Sequence, residues 1–310
     1  MGPFGELYER LPALVDVPAG LPLVITLTGF TDAGGAASQM HEYFRDEVQP
    51  EPLVVFNNDI LLDYRARRPL VYFDQDHLTA YRPATLTLAL AEDGLGQQFL
   101  VLSGYEPDFG WETFADTIVQ LAEELEVSSA TWVHAIPMPV PHTRPIGMTV
   151  SGNRRDLIDA HSAWRPHTQV PATAGHLLEL RLSDSGLPVA GFVLLVPHYL
   201  GDTEHPGVAV AALEAIGIAT GLSLTRDELR AASRDFLTKI QLQIEGNDEL
   251  NRMVHGLEER YDSYMAGTPQ RSTLIADGDL PSADELAAEL ERFLASNPFG
   301  DEDPNKPPQA

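Results

Sequence analysis

Short uncharged apolar runs alternate along the chain with longer stretches whose apolar residues recur at helical spacing. Leu23-Val24-Ile25-Thr26-Leu27-Thr28 is apolar and β-branched, the pattern of a strand buried on both faces. A glycine-rich turn over residues 29–35 follows, and residues 36–48 then read as a helix. Strand, glycine turn and helix form the opening unit of an α/β sheet. Further buried strands are predicted over residues 53–57, 130–136 and 189–196, with a short one at 148–151. Residues 85–91 and 98–102 flank Asp93-Gly94-Leu95-Gly96, a hairpin signal that makes the sheet mixed.

Helices are predicted at 111–127, 173–182 and 207–218. In the first, Trp111, Phe114, Ile118, Leu121 and Leu125 fall three and four apart; in the last, Pro206 sits at the first helical position. Leu7-Tyr8-Glu9-Arg10-Leu11 is a short amphipathic scrap. Residues 60–83 lack clean periodicity and read as a long functional or covering loop. From Thr225, an N-cap with Glu228 in capping-box position, residues 226–265 are polar and helical, with Gly246-Asn247-Asp248 as a kink or a hairpin point. Leu286, Leu290, Phe293 and Leu294 mark a last short helix, and the acidic, proline-rich end reads as disordered. The expected organisation is an α/β domain over 1–225, a helical extension over 226–297 and a tail over 298–310.

Composition narrows the function classes. The 310 residues are 44% apolar and 21% charged, and no run of about 18 uncharged apolar residues exists to span a membrane. With no cysteine there are no disulfides, thiolate metal sites or cysteine nucleophiles, and no signal segment is visible, so the expectation is a cytoplasmic protein. A net charge of −26 repels the phosphates of nucleic acids and anionic membranes. Only Lys239 and Lys306 are lysines, so chemistry that needs a lysine within the α/β part is excluded.

No phosphate-loop, dinucleotide, zinc-helix or serine-elbow motif occurs. No metal or other cofactor is expected. Asp32, in the glycine turn, is read as capping the following helix. His134, inside an apolar strand, is read as a satisfied core histidine. In open α/β sheets the C-terminal ends of parallel strands converge on one crevice. That rule gathers Asp32, Asn58, Asp59, Glu106, His142, Arg144, His198 and Tyr199 on one edge. A histidine beside a carboxylate there could act as acid and base, with His142, His198 and Glu106 as the catalytic candidates. A rim of mutually bonded polar loops is the equal alternative. Arg65, with Arg67 and Arg68, is a candidate anion holder; the alternative is a solvated face or pairing with the chain's many acids.

Four segments together carry a family resemblance: Gly29-Phe30-Thr31-Asp32-Ala33-Gly34, Leu61-Leu62-Asp63-Tyr64-Arg65-Ala66-Arg67-Arg68-Pro69, Ile136-Pro137-Met138-Pro139-Val140-Pro141-His142-Thr143-Arg144-Pro145, and Val196-Pro197-His198-Tyr199-Leu200. The chain resembles the actinobacterial branch of the proteasome-assembly-chaperone-like family. The resemblance implies a core similar to nucleoside phosphorylases: an α/β, three-layer α/β/α sandwich with a mixed, mostly parallel sheet and a C-terminal helical extension. It also implies a homo-oligomer, with a trimer as one form.

The leading expectation is a binding or assembly-type protein without defined catalysis, engaging a protein partner or a small ligand. The alternative is a hydrolase or phosphorylase-like enzyme acting on a nucleoside-like substrate at the strand C-terminal edge.

Overall fold

The computed structural model describes residues 6–29, 31–163 and 167–266, all within one compact unit, Met1–Ser272. The strands are β1 (Tyr8–Arg10), β2 (Pro22–Thr28), β3 (Glu51–Phe56), β4 (Leu70–Asp74), β5 (His77–Arg82), β6 (Leu86–Glu92), β7 (Gln98–Tyr105), β8 (Ser129–Met138), β9 (Gly147–Gly152) and β10 (Val189–Pro197). The helices are α1 (Ala36–Tyr43), α2 (Asn58–Leu61), α3 (Trp111–Glu124), α4 (Arg155–His161), α5 (Ala174–Asp184), α6 (Pro206–Thr220), α7 (Asp227–Glu245) and α8 (Asp248–Ala266). The expected short helix near residue 290 and the tail over 298–310 lie outside the described residues.

Eight strands form one sheet in the order β1-β3-β6-β7-β2-β8-β10-β9. It is mixed, as expected, but the parallel part is smaller than the sequence suggests. Only β7-β2, β2-β8 and β8-β10 pair in parallel; the other four pairings are antiparallel. The reason is local. The turn at residues 93–97 joins β6 directly to β7, and a strand returning through a tight turn must run antiparallel. The scrap Leu7–Leu11 is recruited in the same sense, with Tyr8 opposite Phe56.

Side chains alternate between the two faces of the central strands. Val24, Phe99, Val101, Val133 and Phe192 join Met40, Leu213 and Ile216 in one core. Leu23, Ile25, Leu100, Leu102 and Trp132 join Phe114, Ile118 and Leu178 in the other. Helices α1 and α6 therefore cover one face and α3 and α5 the other, which makes three layers. Helix α6 is apolar on nearly every side, Glu214 excepted, because it lies between the sheet and α7.

The turn after β2 requires its glycines: Gly34 and Gly35 sit at φ +68° and +66°, where a Cβ is strained. The expected capping box at Thr225 does not form. Helix α7 starts after Arg226 without a side-chain cap, and Asp227 and Glu228 instead place negative charge in its first turn. The chain breaks at Gly246, and the Asn247 side chain accepts the N–H groups of Glu249 (3.0 Å) and Leu250 (3.2 Å) to start α8. Residues 60–83 are not a featureless loop. They hold α2's end and the separate hairpin β4–β5, whose residues are nearly all exposed.

Candidate functional site

The edge predicted to hold chemistry divides into three places. At the glycine turn, the Asp32 carboxylate accepts the N–H groups of Ala37 (2.6 Å) and Ser38 (3.0 Å) and the Ser38 hydroxyl. It serves the start of α1. Beside it runs an open cleft of about 340 Å³ lined by Ser38, Glu42, Gly201, Asp202 and Glu204.

The second place lies under α7 and α8. The Tyr199 hydroxyl accepts the backbone N–H of His142 (2.8 Å) and lies 2.8 Å from its Nδ1. Gln241 Oε1 can only accept, so the neutral ring keeps its hydrogen on Nε2 and the tyrosine donates its own proton to Nδ1. The His142 Nε2–H then donates to Gln241 Oε1 at 3.3 Å. Burial lowers the His142 pKa, and Gln241 and Glu258 only partly oppose it, so the neutral ring fits both bonds. Burial also pushes the Tyr199 phenol up to about 12. Arg144 binds Asp262 through Nε (2.9 Å) and Nη2 (2.6 Å) and reaches Glu258 at 3.4 Å. Its charge is answered within the chain. His198 is exposed, its ring edge-on to Tyr199 at 5.4 Å. The structure thus brings together His142, Tyr199 and Arg144, with partners 99 to 118 residues away that no local pattern announces.

The third place is a small cavity of about 20 Å³ past the C-terminal end of β2, against the middle of β8 and the start of α5. Gly29, Glu106, Trp132, His134, Thr173 and Gly175 line it. Glu106 is buried, and its carboxylate accepts the Ala174 N–H (2.5 Å) at the positive end of α5. The same helix is closed by a reciprocal cap: Thr173 accepts the His176 N–H, and His176 Nδ1 accepts the Thr173 N–H (3.0 Å). His134 stacks on Trp132 with ring centroids 4.5 Å apart and meets His176 edge-on at 5.3 Å. Burial first, then His176, pushes the His134 pKa down to about 3. Its Nδ1 is buried without a hydrogen-bond partner among the described residues, which corrects the expectation of a satisfied core histidine. The volume admits one water-sized body. Gly175 is needed here, since a Cβ would lie 2.7 Å from the Trp132 ring. His134 was legible only as a core residue, and Trp132 and His176 only as members of a predicted strand and helix.

Asn58 and Asp59 lie apart from these places. The Asn58 amide donates to the Ala84 carbonyl (2.7 Å) and accepts from the Tyr105 hydroxyl (2.5 Å), while Asp59 accepts from the Tyr64 hydroxyl (3.1 Å). Arg67 pairs with Asp108 (3.2 Å) and donates to the Glu106 carbonyl (2.6 Å), whereas the Arg65 side chain is exposed. Among the described residues no three His, Asp or Glu side chains converge as a metal site, and no helix is long and apolar enough to cross a membrane.

Comparison with known proteins follows the fold. A model of the PAC2 family matches residues 26–244. No curated protein matches the chain. A solved Mycobacterium tuberculosis protein of unknown function is 36% identical, with a TM-score of 0.80 over 86% of this chain and 94% of that one. A Corynebacterium glutamicum protein of unknown function is 32% identical, with a TM-score of 0.80 over 84% of this chain and 98% of that one. A proteasome-assembly chaperone homologue from Mycobacterium tuberculosis shares the fold at 20% identity, with a TM-score of 0.68 over 76% of this chain and 100% of that one.

Proposed function

Because the chain belongs to the PAC2 family, we propose that it is a binding or assembly-type protein of the cytoplasm, working through its surface on a protein partner rather than turning over a substrate. The observation that carries this reading is the hairpin β4–β5. Leu70, Val71, Tyr72, Phe73, Leu78 and Tyr81 are 48–73% exposed on it, a concentration of large apolar side chains that soluble surfaces keep for contacts. A hairpin of two strands is marginal alone in water and gains from being covered. The proteasome-assembly chaperone homologue with the same fold is consistent with an assembly role.

Chemical crosslinking in native lysate tests this. The wild type should form adducts above its single-chain mass, and a Tyr72→Ser/Phe73→Ser variant should lose them. Adducts that are absent from both proteins, or equal in both, would remove the reading.

A second reading keeps an enzyme of hydrolase or phosphorylase type, acting on a nucleoside-like substrate. Its support is the Glu106–His134 cavity, which adjoins the C-terminal ends of β2 and β7, the side on which open α/β sheets bind ligands. The volume of about 20 Å³ is far below the several hundred Å³ of ordinary ligand pockets. A nucleoside present at 100 times its dissociation constant should stabilise the protein by about 2.7 kcal/mol. No thermal shift with nucleosides and inorganic phosphate would eliminate this alternative.

A further inference from the structure

Two adjacent residues in the proline-rich loop after β8 aim a set of donors at one place. Arg144 presents Nε and Nη2 side by side to the two oxygens of Asp262, at 2.9 and 2.6 Å. Its Nη1 reaches Glu258 Oε1 at 3.4 Å, and the Thr143 hydroxyl donates to that same oxygen. A guanidinium fork with a hydroxyl beside it suits a planar carboxylate or a phosphate. Prolines 139, 141 and 145 stiffen the loop, and the Arg144 N–H turns back on the Pro141 carbonyl at 3.4 Å. The donors are therefore set in place by the loop itself.

What fills this place is loosely held. Glu258 and Asp262 lie four apart on α8, and like charges at that spacing destabilise a helix. The shared guanidinium offsets that repulsion, with His255 Nδ1 2.9 Å from Glu258 Oε2. Val254 and Leu257 are the only buried side chains among the described residues of α8. Beyond the two acids, the helix is tied down by a bond from the Tyr264 hydroxyl to the Ala163 carbonyl (2.9 Å). The side chains of Arg144 and Asp262 are 31% and 54% exposed, so an anion in solution can meet the guanidinium before α8 leaves it.

We propose that Thr143 and Arg144 form an oxyanion site which α8 fills at rest with Glu258 and Asp262, and that a small soluble multivalent oxyanion, a phosphate or a polycarboxylate, takes the site by displacing them. The internal acids stand where the ligand's oxygens would stand. Asp262 supplies the pair gripped by the fork, and Glu258 Oε1 the oxygen shared by Nη1 and the hydroxyl. Ligand binding and the docking of α8 exclude each other, so the apparent affinity is reduced by the small fraction of molecules whose site is open. The chain's net charge of −26 opposes any free anion. Screening beyond about 8 Å at physiological salt confines that repulsion to nearby acids. Two of those, Glu258 and Asp262, move away as the ligand enters.

Titration calorimetry and amide exchange on the purified full chain decide it. The probes are inorganic phosphate and citrate, with sodium chloride at matched ionic strength as the control. Glu258→Gln/Asp262→Asn removes the competing charges and should bind at least one of the two anions about tenfold or more tighter than the wild type. Should that pair lower the helix content seen by circular dichroism, Asp262→Asn alone, at the more exposed position, repeats the comparison. Adding Arg144→Gln should abolish the binding. In the wild type a saturating anion should quicken exchange over residues 248–266, and chloride should not. Binding of phosphate alone supports a phosphate ester as the ligand, binding of citrate alone a polycarboxylate, and binding of both a site that reads charge and oxygens only. Failure of the variant to bind either anion would overturn the proposal. So would binding that survives Arg144→Gln, or equal affinity in wild type and variant with exchange over 248–266 unchanged.

Discussion

Arg144 and Asp262 meet in a two-point ion pair, Nε to Oδ1 at 2.9 Å and Nη2 to Oδ2 at 2.6 Å, across 118 residues of sequence. The pair fastens α8 to the proline-rich segment after β8, and the Thr143 hydroxyl adds a bond to Glu258. Both groups are partly solvated, so screening limits their contribution. Arg144→Gln is expected to leave the melting temperature nearly unchanged while amide exchange quickens over residues 248–266. Exchange confined to other segments would place the fastening elsewhere.

The two histidines with the largest shifts lead a pH dependence. Burial, reinforced by the neighbouring His142, lowers His205 to about 4, and burial with His176 lowers His134 to about 3. Both are neutral in the fold, whereas an unfolded histidine takes up its proton near pH 6.5. Above that pH neither costs stability. Below it the unfolded state binds the extra proton, and each histidine removes about 1.4 kcal/mol per pH unit until the folded pKa is reached. Urea unfolding at pH 7, 6, 5 and 4.5 should show a falling midpoint. His205 Nδ1 caps α6 by accepting the Gly207 N–H (3.1 Å), a task asparagine can take over. His205→Asn should therefore remove part of the fall rather than abolish folding, since the buried His142 and the half-buried His41 and His176 are lowered as well.

Asp93 is a buried acceptor joining two distant segments. Oδ1 accepts the N–H groups of Leu95 (2.8 Å) and Gln97 (2.9 Å), and Oδ2 accepts that of Ser223 (2.7 Å). Asp93→Ala leaves three donors unanswered and should cost about 1–3 kcal/mol in chemical denaturation. Asp93→Asn keeps one oxygen for the turn and should cost less, with the damage confined to the Ser223 side.

Gly34→Ala tests the turn after β2. Its φ of +68° is strained for alanine, and the new methyl would lie 2.8 Å from Val208 Cγ2. The expected loss is about 2–4 kcal/mol, from strain and overpacking together. A neutral substitution would show that the turn relaxes.

The sequence made visible those elements whose two faces differ. The uncharged runs of β2, β8 and β10 and the regular stripe of α3 announced themselves because each buries apolar surface in a fixed period. The hairpin β4–β5 did not, because both its faces are exposed and no alternation separates them. The excess of antiparallel pairings was hidden as well, since β1 and β9 are short edge strands held by register rather than by apolar content. At the site, the strand-end rule put His142, Arg144 and Tyr199 on one edge, and in the structure they lie under α7 and α8. What those residues do was not readable, because Gln241, Glu258 and Asp262 arrive from helices that the pattern presents only as polar. Glu106 was visible as an acid at a strand end, but its use by the first turn of α5 depends on a helix 68 residues later.

The central strand imposes an order in time on synthesis. Leu23 of β2 pairs with Leu100 on one side and Ala130 on the other, so β2 leaves the ribosome long before either neighbour exists. At translation rates of about 5–20 residues per second, roughly 5–20 s separate the emergence of β2 from that of β8. Until β7 emerges both edges of this uncharged strand are unpaired, and from then until β8 emerges one edge still is.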